Sequence, residues 1–346
     1  MDQRELLTQA RELEAAGELR DAASRYDRAY ALNPADPEVA RARAALLDRM
    51  AVTEHGIVFR YVPAGTFLMG SSGGDRDESP VHEVRLGDVW MAETPMSWWT
   101  FCDLMGWALP PEGVPPEEGI DRRRLFDLHV QNQIRWQYCE DATTQATDWH
   151  AHNPSLRMTR GGETVDPAEV FGGVSRDHSA PWRYENKPMV SVSWEAAAEL
   201  GERLSDDRVE YRLPTEAEWE RAARGGLSGR RYPWGDEPPT ARRCDFGRFG
   251  DFAIRPVKDT PPNGYGLYGM AGSVWEWTSD WYDAEYYGNS PEADPSGPPE
   301  GTERVLRGGS WADCADAVSV SFRMSRAPED AFTPNIGFRL CRRLVQ

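Results

Sequence analysis

The sequence predicts an α+β fold: an irregular, loop-rich domain preceded by a small α-helical hairpin. Three observations carry that reading. Residues 3–50 hold apolar and small side chains at three- and four-residue spacing, and from Gly56 the pattern changes to alternation. In residues 261–281, PPNGYGLYGMAGSVWEWTSDW, four glycines are interleaved with two tyrosines and three tryptophans. Glycine reaches positive φ and admits close backbone approach, while each buried aromatic ring removes on the order of 150–250 Å² from water. Such a run predicts a core made of tight loops, neither helix nor ordinary strand. Trp275, Trp277 and Trp281 fall on one face of an extended segment, with Glu276 and Asp280 on the other.

Taken in order, the helical segment covers residues 1–50. Leu6, Ala10 and Leu13 mark a first helix, Gly17 the break, and Ala22, Tyr26, Ala29 and Tyr30 a second. Asn33-Pro34 stops it, and Asp36-Pro37 starts a third with an N-cap and a proline at its first position. The run AAGELRDAASRYDRAYALNP resembles one tetratricopeptide repeat. A single repeat leaves its faces uncovered, so the segment is expected to dock on something.

The second domain is expected over residues 56–346. Val58, Arg60 and Val62 alternate, a Pro-Ala-Gly turn follows, and Phe67 to Met69 form a second short strand ending at Gly70. After the polar SSGGDRDESP loop, Val81, Glu83 and Arg85 alternate with His82, Val84 and Leu86. Ser193 caps a helix carrying Trp194, Ala197 and Leu204. Thr215 and Glu218 form a capping box for a helix that turns Trp219, Ala222 and Ala223 inward. RVLRGGSW reads as a strand, a glycine turn, and then Ser310 and Trp311 at a loop mouth.

Composition bounds the function. The 346 residues are 40% hydrophobic with 14 Trp, enough for one large core and a small one. Fifty-seven acidic against 39 basic residues give a net charge of −18, which argues against nucleic acid or anionic lipid as a partner. Five scattered cysteines do not read as a disulfide framework, and no apolar run reaches the roughly 18–20 residues of a membrane span. The charged N-terminus lacks an apolar signal region. A cytoplasmic protein is expected.

Several blocks, in order, resemble the sulfatase-modifying factor family, to which formylglycine-generating enzymes belong. They are FRYVPAGTFLMGS, PVHEV, AETPMSWWTFCDL, PMVSVSWEAAAEL, YRLPTEAEWERAARGG, YPWGDEPP, NGYGLYGMAGSVWEW, RVLRGGSW and NIGFRLCR. The resemblance implies a C-type-lectin-like, formylglycine-generating-enzyme-type fold. Residues 107–186 depart from the pattern as an insertion with four of the six histidines, and His150 and His152 beside Asp148 are its metal-ligand candidates.

The resemblance also implies a chemistry. Active members of the family hold copper(I) with two cysteines four residues apart just after GGS, and oxidise a substrate cysteine to an aldehyde. Soft thiolates suit copper(I). Here RGGSWADCADAVSVSFR places Cys314 near the first position and Val318 or Ser319 at the second, with Cys341 as the other thiol that could complete a pair. A serine hydroxyl does not replace a thiolate. Calcium, the family's other ligand, maps onto the Gly272 and Val274 carbonyls with Glu276, and at a second site onto Asp245 and the Phe246 carbonyl. Gly269 stands where relatives carry the first acidic ligand. Arg323, Arg326 and Arg339, with Ser310 and Trp311, are the candidate ligand-binding residues for a carboxylate.

The missing second cysteine leads to the expectation of a binding module without oxidase activity, presenting its loops to a protein or peptide partner. Two alternatives stand beside it. One is a copper-dependent formylglycine-generating or related oxidase acting on a protein cysteine through a rearranged site at Cys314 and Cys341. The other is the variable ligand-binding protein of a diversity-generating retroelement, diversified over residues 312–334.

Overall fold

The computed structural model describes residues 1–110, 113–116, 119–139, 158–160, 163–165, 186–248 and 254–345. Three helices open the chain: α1 (Gln3–Ala15), α2 (Leu19–Leu32) and α3 (Pro37–Arg49). Asp36 caps α3 through the amides of Glu38 and Val39, with Pro37 at the first helical position, as the sequence indicates.

Five strands form an antiparallel sheet. In spatial order they are β1 (Val52–Glu54), β2 (Ile57–Val62), β5 (Val89–Ala92), β13 (Cys341–Leu344) and β8 (Val209–Arg212). The second sheet runs β11 (Arg323–Arg326), β10 (Arg304–Arg307), β9 (Trp275–Trp281) and β12 (Ile336–Phe338), with β12 parallel to β9. A hairpin of β3 (Gly65–Met69) and β4 (His82–Leu86) stands apart from both, so β2 and β3 are consecutive but do not pair with each other. Helices α4 (Trp98–Met105), α5 (Arg122–Cys139), α6 (Trp194–Leu204) and α7 (Glu216–Arg224) complete the frame, with the small pair β6 (Met158–Arg160) and β7 (Glu163–Val165). Among the described residues no helix is long and apolar enough to cross a membrane.

Helix α7 is the hub. Thr215 Oγ1 accepts from the Glu218 amide at 3.2 Å, and Glu218 Oε2 accepts from the Thr215 amide at 2.8 Å, closing the expected capping box. All nine of its residues are buried, including three glutamates and two arginines. Burying charge is tolerable only with partners, and each has one. Glu218 takes both Arg212 guanidinium nitrogens at 2.7 Å, tying α7 to the five-stranded sheet. Glu216 pairs with Arg323 of β11 at 2.7 Å, and Glu220 with Arg307 of β10.

Two expectations change here. Residues Trp275–Trp281 are a seven-residue strand, with a register shift against β10, and not a loop, because β10 and β12 pair with its backbone from both sides. Its second face is also interior: Glu276 and Asp280 are buried, as are Trp275 and Trp277.

The N-terminal helices do dock. Ala22, Ala23, Tyr26, Leu46 and Leu47 belong to the main core cluster with Tyr265 and Trp219. Buried Asp27 of α2 accepts from Arg43 of α3 at 2.7 Å, from the Tyr265 hydroxyl at 2.9 Å and from Arg221 of α7 at 3.3 Å. Arg43 also donates to the Gly264 and Gly225 carbonyls, so one carboxylate and one guanidinium bolt the helices to the domain.

Candidate functional site

β10 is followed by Gly308 and Gly309, at φ +99° and +68°. A Cβ at Gly309 would stand 2.7 Å from the Ala317 carbonyl oxygen, so only glycine lets the chain turn back on itself here. The loop that follows is pinned from inside by Arg307, whose guanidinium donates to the Val320 carbonyl at 2.7 Å and the Ser321 carbonyl at 2.8 Å. From outside, Asp316 pairs with Arg231 at 2.5 Å, and the Val320 amide donates to the Arg231 carbonyl.

Facing this loop is the turn after β3. The Gly70 amide donates to Glu220 Oε1 at 2.9 Å, and its carbonyl accepts from Arg224 at 3.0 Å. The same buried glutamate therefore holds both loops, through Gly70 on one side and Arg307 on the other. Between them lies a cavity of about 630 Å³, lined by Cys314, Ser319 and Ser321 from one loop and by residues 70–75 with Glu78 from the other. Arg224, Arg230 and Arg231 line it too, and Leu68, Val81 and Phe322 add an apolar part. Cys314 is exposed there. Its volume lies within the range of small-ligand or peptide side-chain sites, about 300–1,000 Å³.

The two cysteines do not come together. Cys341 opens β13 with its Cα opposite Met91 and Arg212, and it is fully buried. Burial pushes its thiol up to about 12, and Arg212 Nη1 lies 3.1 Å from its sulfur. The physical cause is a change of sheet: the chain leaves β12 in the four-stranded sheet at Phe338 and enters the five-stranded sheet at Cys341, carrying the thiol into the core. A copper(I) site built from both thiolates does not fit. Of the two residues that stand near the family's second cysteine position, Val318 is buried, whereas Ser319 shares the cavity wall with Cys314.

The calcium candidates do not fit either. Glu276 Oε2 accepts from Arg339 Nε at 2.6 Å and Trp219 Nε1 at 2.7 Å, and Oε1 accepts from Arg339 Nη2 at 2.7 Å. Asp245 is held by Arg248 through both oxygens, at 2.5 and 2.9 Å. Its own carbonyl accepts from the Ser273 amide beside the Gly272 and Val274 backbone, while Phe246 packs with Tyr232, Cys244, Ala271 and Val318. Arginine has taken the place of a cation at both carboxylates, and among the described residues no cluster of three or more His, Cys, Asp or Glu side chains is placed to hold a metal.

Ser310 and Trp311 are not at a loop mouth. Both are buried, with Ser310 Oγ donating to Asp313 and accepting from Asn335 at 2.8 Å. Arg323 and Arg339 are internal, committed to Glu216 and Glu276, and only Arg326 is exposed, 4.0 Å from Asp330. Asp148, His150 and His152 lie outside the described residues. Sequence reasoning passed over Arg307, Glu220 and Arg224, because arginines and glutamates in strands and helices read as surface. The one visible signal was the glycine and serine content of the 70–75 turn, which brings backbone to a cavity wall.

Two sheets around a central helix, with long loops converging on one cavity, define a C-type-lectin-like α+β fold of the formylglycine-generating-enzyme type. The chain belongs to the sulfatase-modifying factor family: the family model described as a sulfatase-modifying factor enzyme 1-like domain matches residues 48–344. The formylglycine-generating enzyme of Streptomyces coelicolor is 38% identical over 298 residues, covering 80% of this chain and 87% of its own. That of Thermomonospora curvata is 41% identical over 309 residues, covering 80% and 91%. A mouse (Mus musculus) relative named inactive C-alpha-formylglycine-generating enzyme 2 is 41% identical over 298 residues, covering 81% and 83%. Among solved structures, PvdO from Pseudomonas aeruginosa superposes with a TM-score of 0.58 at 22% identity over 85% of this chain and 98% of that one. Treponema denticola variable protein 1 does so at 0.51 and 26%, over 84% and 97%. The two formylglycine-generating enzymes overturn the expectation that the chain is not an enzyme.

Proposed function

We propose that this protein is an oxidase of the formylglycine-generating type that acts on a cysteine of a protein or peptide segment, with Cys314 as its single reactive thiol. The observation that carries the reading is the exposed Cys314 on the wall of the 630 Å³ cavity, on the loop that follows the family's GGS turn. The reaction converts a cysteine side chain and O2, with two electrons and two protons from a reducing thiol, into an aldehyde, hydrogen sulfide and water. Leu68, Val81 and Phe322 give the segment an apolar bed, and the serines at 319 and 321 offer hydroxyls to its backbone. Arg307 and Glu220 act behind the wall: they fix the two loops at the separation that leaves the cavity open.

The test is aldehyde formation in a cysteine-containing sulfatase-type peptide, followed by mass spectrometry in air with a reducing thiol. Wild-type protein is expected to produce aldehyde, and Gly73→Trp to slow it at least tenfold. Gly73 has open space around an added Cβ, so this change obstructs the cavity without straining the chain. No aldehyde from the wild type, or full activity in Gly73→Trp, sinks the reading.

A further inference from the structure

A second cavity, of about 420 Å³, lies between the N-terminal helices and the domain. One wall is the end of α2 and the turn after it, with Tyr30, Pro34 and Ala35; the facing wall carries Trp234, Leu267 and Met270. Its walls are aromatic, proline-rich and aliphatic. In a chain with 57 acidic residues and a net charge of −18, the lining holds, among the described residues, no aspartate or glutamate and one arginine, Arg243. Arg243 stands 5.8 Å over the Trp234 ring and is partly exposed, and its carboxylate partner is the exposed Glu237 at 2.9 Å. A half-exposed ion pair of this kind contributes little, about 0–1 kcal/mol, so a bound carboxylate can take Glu237's place at small cost. Tyr30 and Trp234 each already have a guanidinium over the ring, Arg43 at 4.4 Å and Arg243, which disfavours a cationic ligand in the same space.

We infer that this cavity is a binding site for a small carboxylate with a flat apolar body, the body lying against Pro34, Leu267 and Met270 and the carboxylate on Arg243. The site is distinct from the Cys314 cavity, since its lining includes none of the residues there. It exists only while the helices are docked, because residues 30–35 supply one side of it. Binding therefore strengthens the hold of the helices on the domain.

The probe is 2-naphthoate, titrated calorimetrically into the full chain, with 2-naphthylmethylammonium as the cationic counterpart of the same ring. One-to-one binding of the carboxylate and none of the ammonium is expected. Arg243→Gln is expected to weaken naphthoate by ~10-fold or more, the worth of one charge-assisted hydrogen bond. Ala35→Trp, at an exposed position on the rim, fills the cavity from the helical side and is expected to abolish binding. Absence of naphthoate binding, equal binding of the ammonium, or affinity unchanged in both variants overturns the assignment.

Discussion

Asp280 is sealed on β9, accepting from the Glu216 amide at 2.9 Å and the Ser279 hydroxyl at 3.1 Å. Burial first, and then the neighbouring Glu216 carboxylate, push its carboxyl up to about 7 from the ordinary 3.8. Glu218 adds to that push, while Arg304 lies close enough to interact with it as a cation. A folded-state value above the unfolded one means that its contribution to stability is complete below pH 3.8 and is lost as pH rises through 7. Asp280→Asn keeps the acceptor and removes the ionisation, so the variant should gain thermal stability over the wild type at pH 8 relative to pH 5. A stability difference that does not move with pH would refute this. Arg339 poses the opposite case. It is fully buried against Glu276, and Arg339→Ala leaves that carboxylate unpaired, an expected loss of about 3–5 kcal/mol in a denaturant titration. A loss below ~1 kcal/mol would mean that Glu276 finds another cation.

At the scale of elements, helix α7 decides what the sequence could disclose. Its start was legible, because Thr215 and Glu218 stand at capping-box spacing, and Thr215→Ala is expected to cost about 1 kcal/mol with Thr215→Ser close to neutral. Equal losses in the two variants would contradict the cap. Its complete burial was not legible. The period marks Trp219, Ala222 and Ala223 as the inner face, and the glutamates and arginines between them read as solvated unless their partners are known. Those partners lie far off in the chain: Arg307 is 87 residues from Glu220, and Arg323 is 107 from Glu216. Strand β9 was half legible: the spacing of Trp275, Trp277 and Trp281 marks an extended segment, but the glycine-rich run before it continues without a break into the tryptophans and hides where the strand starts. The separation of Cys314 from Cys341 depends on the passage from β12 to β13 between sheets, and no local spacing records such a passage. The family blocks did disclose the fold, because most of them pair a cap or a glycine turn with aromatic residues that close the core.

At the scale of the molecule, the N-terminal helices are part of the domain's own packing. Asp27 draws Arg43, Arg221 and Tyr265 to one point, joining α2, α3, α7 and the glycine-rich loop. Asp27→Ala leaves two buried guanidinium groups without their carboxylate, and amide exchange across residues 3–49 is expected to speed up as the helices loosen. Unchanged exchange there would show that apolar contacts alone hold them. The same variant should weaken 2-naphthoate, since the second cavity needs the docked helices.

The central claim is that one exposed thiol does the work for which the resemblance predicts two. The most direct measurement compares aldehyde yield from a cysteine peptide with Cys314→Ala and Cys341→Ala proteins, side by side in air with a reducing thiol. Activity retained in Cys341→Ala and lost in Cys314→Ala is the predicted result. Loss in Cys341→Ala with a folded protein, or activity surviving in Cys314→Ala, would contradict it.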